Sequence, residues 1–200
     1  MERKYGTSGR CINNRSEDLM LQKYFMAIVP PEPLLSHIQN IKQSIFDNYQ
    51  SKGALRSPGH ITLHMPFSFD ESKEDKLIDC LSKFQFEKSF IINLNNYDCF
   101  EPRVIFINVQ QQNKLFDLQT QFVSHIKRNL NIFNQSDDMR GFHPHITIAF
   151  RDLKKKVFYQ AWEEYQSKSF SDSFTCNSFS LLKYQKEEWV VLKNFEIKSL

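Results

Sequence analysis

His60-Ile61-Thr62-Leu63 and His145-Ile146-Thr147-Ile148 repeat one pattern, once near the middle of the chain and once in its last third. Side chains alternate faces along an extended strand. His60 and Thr62 therefore point one way and Ile61 and Leu63 the other, and the second copy behaves alike. Each strand presents an imidazole beside a hydroxyl on one face and aliphatic carbon on the opposite face. Random placement gives roughly 0.15 His-x-Thr occurrences in a chain of this composition, so two are about a one-in-a-hundred event. Facing each other across a cleft, the two strands would supply two proton-transfer groups and two phosphate donors.

The segments around the motifs read as alternating strands and helices. Tyr24 to Val29 is an apolar strand stopped by Pro30 and Pro31. Leu34, Ile38, Ile41 and Ile45 recur at helical steps. A loop from Ser51 to Gly59 delivers the first motif strand, His60 to Met65, which Pro66 is expected to end. A second helix follows over Asp70 to Phe84, with acidic residues in its first turn. Strands are expected at Phe90 to Leu94 and Val104 to Val109, and a third helix from Asn113 to Leu130. A polar loop then leads to the second motif strand, His143 to Phe150. A fourth helix spans Lys154 to Gln166, and two strands, Phe174 to Tyr184 and Glu188 to Ile197, close the chain as a hairpin.

Each half thus holds a helix, a motif strand, a helix and two strands. The order predicts an α+β fold of two pseudo-symmetric lobes, with antiparallel or mixed sheets, helices outside and the motifs in a central cleft. Residues 1–22 are polar and aperiodic and read as a flexible leader to a two-lobed domain over 23–200.

Composition bounds the function classes. Charged residues at 24% and hydrophobic residues at 40% are ordinary for a globular chain. A net charge of +3 permits a phosphorylated ligand without announcing a nucleic-acid scaffold. Cys11, Cys80, Cys99 and Cys176 are scattered, which points to free thiols and a cytoplasmic protein. No apolar run is long enough to span a membrane. The absence of a Gly-rich phosphate loop argues against an ATP-dependent kinase or ligase.

Histidine accepts and donates protons near neutrality. Two imidazoles on opposite sides of one phosphorus suit phosphodiester chemistry, one taking the proton of the attacking oxygen and the other protonating the leaving oxygen. The Thr62 and Thr147 hydroxyls suit the non-bridging oxygens. The scheme requires no cofactor and no metal. A competing reading gathers His60, His64, His143 and His145 into a four-imidazole metal site.

The motifs His60-Ile61-Thr62-Leu63 and Pro144-His145-Ile146-Thr147-Ile148-Ala149 resemble those of the two-histidine phosphoesterase superfamily, which includes 2′-5′ RNA ligase-like proteins and 2′,3′-cyclic phosphodiesterases. The resemblance covers about Tyr24 to Ile197. It implies a two-lobed α+β fold whose cleft is lined by all four motif residues, with His60 as base, His145 as acid, and Thr62 and Thr147 holding phosphate. It also implies opening of 2′,3′-cyclic phosphates, or making and breaking of 2′-5′ linkages, on nucleotides or RNA ends. A monomer with no membrane or obligate protein partner is expected. The alternative within the same fold is a non-catalytic module that binds a nucleotide or RNA end. Relatives often carry a basic residue soon after the second motif; here Phe150 intervenes before Arg151. Arg56, Arg151, His143, His64 and Phe142 complete the expected substrate contacts.

Overall fold

The computed structural model describes residues 20–134 and 141–197. Most of the expected leader, with Cys11, lies outside the described residues. The chain runs β1 (Leu21–Ile28), α1 (Leu34–Tyr49), β2 (Ile61–Asp70), α2 (Glu74–Ser82), β3 (Phe90–Phe100), β4 (Val104–Val109), α3 (Asn113–Leu130), β5 (His145–Ala149), α4 (Lys155–Tyr165), β6 (Ser171–Cys176), β7 (Ser178–Gln185) and β8 (Glu188–Glu196). Short 3-10 turns at Gly53–Arg56 and Glu71–Lys73 precede β2 and α2.

All eight strands form one sheet in the order β6-β3-β4-β5-β2-β1-β7-β8, and every pairing is antiparallel. The α+β class and the pseudo-symmetry follow directly. The motif strands β2 and β5 are the central neighbours. Working outward from them, β1 matches β4, β7 matches β3, and β8 matches β6. Each lobe borrows a strand: β3 follows the first motif in sequence yet pairs with β4, and β7 follows the second yet pairs with β1. The two lobes are halves of this one sheet, joined at the single register pair Ile61↔Ile146.

The sheet is strongly curled. One residue, Asn177, separates β6 from β7. In a flat sheet these strands would stand six spacings, ~29 Å, apart, whereas two peptide units reach at most ~7 Å. Curling brings the edge strand β6 back to the start of β7. The sequence reading merges these two strands into one, because nothing in Phe174 to Tyr184 marks a change of partner.

The helices bury their apolar stripes on one face of the sheet. Ile38 and Ile45 of α1, Leu77 of α2, Leu118 and Phe122 of α3 and Phe158 of α4 join Ile61, Leu63, Ile105, Ile107, Ile146 and Ile148 in one continuous core. At its margin Lys183 of β7 bonds Glu71 at 2.8 Å and Glu74 at 2.5 Å. The Tyr24 hydroxyl donates to Glu74 at 2.6 Å, tying β1 and β7 to the start of α2. Phe25, Ala27 and Leu182 form a small separate cluster with Trp189 on the opposite, cleft face.

Pro66 does not end the first motif strand. β2 continues to Asp70, pairing Phe67 with Tyr24 and His64 with Met26. Pro66 sits where this register is irregular, so it removes no ladder hydrogen bond there.

Gly59 shows how tightly the first motif is seated. A Cβ at this position would lie 2.7 Å from Cγ2 of Ile38. Ile38 is fully buried and β-branched, so it has little rotameric freedom in a helix. Gly59→Ala is expected to destabilise the fold by about 1–3 kcal/mol, read as a lowered denaturant midpoint; an unchanged midpoint would show that the loop moves freely.

Candidate active site

The register pair Ile61↔Ile146 places the motifs opposite one another. Continuing that antiparallel register by one residue sets His60 opposite Thr147 and Thr62 opposite His145. Ile61 and Ile146 are both fully buried in the core, so the four polar side chains share the other face. Directly opposed residues of this kind have Cβ atoms about 4.5–5.5 Å apart. All four are half-buried, and neither threonine hydroxyl has a partner among the described residues.

Both imidazoles are held the same way. Nδ1 of His60 bonds the Pro58 carbonyl at 2.8 Å, and Nδ1 of His145 bonds the His143 carbonyl at 2.7 Å. A carbonyl oxygen accepts, so Nδ1 carries the proton in each ring. Neutral imidazole then leaves Nε2 with its lone pair available. Phe25 packs on His60 and Phe106 on His145, each with ring centroids 4.8 Å apart and tilted by 50°. Phe100 meets His145 edge-on.

This apolar packing disfavours the charged form of both rings. Burial, reinforced by the Lys42 and His145 charges, pushes the His60 imidazole down to about 4 against the bond to Pro58. Burial likewise lowers His145, opposed by its bond to the His143 carbonyl. Both shifts favour the neutral ring in the free protein.

A bulge follows each motif. Ala27 pairs with Thr62 and Met26 with His64; Phe106 pairs with Thr147 and Ile105 with Ala149. The extra residue puts Leu63 and His64, and likewise Ile148 and Ala149, on the core side. His64 is expected from the sequence on the face of the motif histidines. Instead it is fully buried, bonded through Nδ1 to the Met65 carbonyl and packed against Phe67. It is therefore neither a substrate contact nor a partner to the other imidazoles, and the four-imidazole metal set does not assemble. Among the described residues no group of three His, Cys, Asp or Glu is placed to hold a metal.

The remaining candidates divide. His143 lies beside the site, its ring 6.0 Å from that of His145 and packed on Phe100 and Phe106. Phe142 is half-buried and packs on Phe116 of α3 and on the core. Arg56 is exposed and lines an open groove of about 360 Å³ with Pro58, Glu188 and Trp189. Arg151 is exposed, its guanidinium 5.5 Å from the Phe150 ring.

Several supporting residues escape the sequence reading. Asp152 accepts from the Ser51 hydroxyl at 2.8 Å and from the backbone N–H of Lys52 and Gly53 at 2.7 and 2.9 Å. It thereby clamps the turn after β5 to the turn before β2. Phe25 and Phe106 are assigned to strands by their neighbours in sequence, with no signal of which face they occupy.

Residues 30–188 match the family described as the 2′-5′ RNA ligase superfamily. The chain belongs to this superfamily. A protein of Geobacillus kaustophilus (strain HTA426) carrying the name "Putative phosphoesterase" is 30% identical over 178 residues, covering 86% of this chain and 95% of its own. Its counterpart from Geobacillus sp. (strain WCH70) is 29% identical over the same shares. Among solved structures of this fold, E. coli LigT complexed with 3′-AMP aligns with a TM-score of 0.62 at 21% identity, covering 88% of this chain and 98% of that one. TT0787 of Thermus thermophilus aligns at 0.56 and 16%, over 88% and 98%. The superfamily is one of phosphoesterases, so the chain is a phosphoesterase-type protein with the LigT fold. No helix among the described residues is long and apolar enough to cross a membrane.

Proposed function

We propose that this protein opens 2′,3′-cyclic phosphates on nucleotides or RNA ends, or makes and breaks 2′-5′ linkages, by in-line displacement at phosphorus. His60 Nε2 takes the proton of the attacking oxygen. His145, protonated on Nε2, delivers a proton to the leaving oxygen. Thr62 and Thr147 hydroxyls donate to the non-bridging oxygens as charge builds on them. The proton taken up by one imidazole and the proton lost by the other balance, and the roles reverse for the reverse reaction.

The observation that carries this reading is the matched pair: two imidazoles with the same tautomer, each fixed by a carbonyl two residues upstream, beside the register pair Ile61↔Ile146, which continued by one residue faces each histidine with the other motif's threonine. A nucleotide as ligand agrees with the 3′-AMP bound to LigT.

The deciding experiment is hydrolysis of a panel of 2′,3′-cyclic mononucleotides, with and without EDTA, beside the His60→Ala/His145→Ala double variant. Turnover that resists EDTA and disappears in the double variant supports the reading. Turnover that EDTA removes, or that survives loss of both histidines, overturns it.

The pH dependence is expected to lie on the acid side. The productive free enzyme has His60 unprotonated, a condition lost below about 4. It also has His145 protonated, a condition lost as pH rises through a midpoint that burial holds below 6.5. A plot of kcat/KM against pH should peak between these values. A plateau reaching past pH 8 would remove His145 as proton donor of the free enzyme.

A further inference from the structure

Lys42 lies in the apolar stripe of α1, between Ile38 and Ile45, and is 1% exposed. Its Nζ donates to the carbonyl of Ala54 at 3.1 Å and to that of Ser57 at 3.0 Å. Among the described residues it has no carboxylate partner. A buried ammonium without a counter-charge is costly, and a cheaper side chain would serve if the helix had merely to pack. The carbonyls it holds belong to the 3-10 turn Gly53–Arg56 and the residue after it. Pro58 comes next, and its carbonyl fixes His60.

We propose that Lys42 is a positioning residue for His60: its ammonium pins the turn that carries the Pro58 carbonyl and presents a positive charge to the imidazole. The proposal rests on His60 being the base, and it names what keeps that base ready. A like charge nearby penalises imidazolium, so the Nε2 lone pair stays free for the attacking oxygen. The lowered proton affinity of His60, to which Lys42 contributes, agrees with this. Burial also pushes Lys42 itself down to about 8.

The other ionisable groups on the surrounding elements are accounted for. Asp152 is occupied by Ser51, Lys52 and Gly53. On α4, Glu164 is bonded to Tyr49 and Lys168. Arg56 and Lys52 are exposed. His145 faces His60 from β5 and lowers it in the same direction.

The test is an NMR titration of the His60 imidazole in the free protein, assigned by its loss in His60→Ala. It is run on Lys42→Met, Lys42→Gln and Lys42→Arg. Met removes charge and hydrogen bonds, Gln keeps donors for the turn carbonyls without the charge, and Arg keeps the charge. The His60 midpoint should rise by about one pH unit in the Met and Gln variants and stay low in Arg. Burial alone would move it the other way, since Met makes the surroundings less polar. An unchanged midpoint in Gln, which does not depend on Met folding, would overturn the proposal. A rise in Arg equal to that in Gln would also overturn it. The acid limb of kcat/KM should follow the midpoint. A midpoint that shifts while the limb stays fixed would count against His60 as base and leave the role of Lys42 intact.

Discussion

His60→Ala and His145→Ala are each expected to lower kcat for cyclic-phosphate opening by roughly 10²–10⁴-fold. His60 immediately precedes β2 and His145 begins β5, each next to a buried isoleucine, Ile61 or Ile146, so thermal stability should change little. The losses should not add: once one proton transfer has gone, the other imidazole has lost its partner, and the double variant should fall little further. The two roles separate with an activated aryl phosphodiester, whose leaving oxygen needs no proton. His145→Ala should recover much of its activity on that substrate, while His60→Ala should not. Recovery in His60→Ala instead would exchange the assigned roles, and normal turnover by His145→Ala on the cyclic phosphate would refute its acid role altogether.

Thr62→Val and Thr147→Val should each reduce kcat by roughly 10²–10³-fold, the usual effect of removing one donor to a developing oxyanion. Valine keeps the β-branched shape and suits a strand, so the change isolates the hydroxyl. Serine at the same positions should restore most of the rate. If the threonines were ordinary half-exposed strand residues, valine would be silent in both kcat and KM. A loss confined to KM would assign them to ground-state phosphate binding, because an interaction made equally in both states leaves kcat unchanged.

The bulges explain where sequence reading misleads. Strict alternation from His60 puts His64 on the cleft face. One extra residue after Thr62 turns His64 inward, and a second irregularity at Pro66 restores the alternation by Phe67. No local signal in Ile61-Thr62-Leu63-His64 announces that residue, because both an exposed and a buried histidine are compatible with the pattern. The second motif carries Ala149 at the corresponding place, which fits a core position. Lys42 leaves a faint trace, since Leu34, Ile38, Lys42 and Ile45 fall on one helical stripe. A lysine there reads as an outlying surface residue until the turn carbonyls above it are known.

By itself, the sequence determined the element types, the two His-x-Thr motifs, their common face and the pairing of halves. These depend on periodicities of two and 3.6 residues and on motif repetition, which are local properties of the chain. The tertiary structure alone decided that both motif strands are central neighbours in a single curled sheet, that the lobes exchange strands, and that His60 and His145 share one tautomer. It also decided that His64 turns inward and that Lys42 and Asp152 brace the turn before His60. Those outcomes rest on which strand pairs with which and in what register, over sequence separations such as the 85 positions from Ile61 to Ile146. Contacts at that range are selected by the packing of the whole core and leave no periodic mark on either segment.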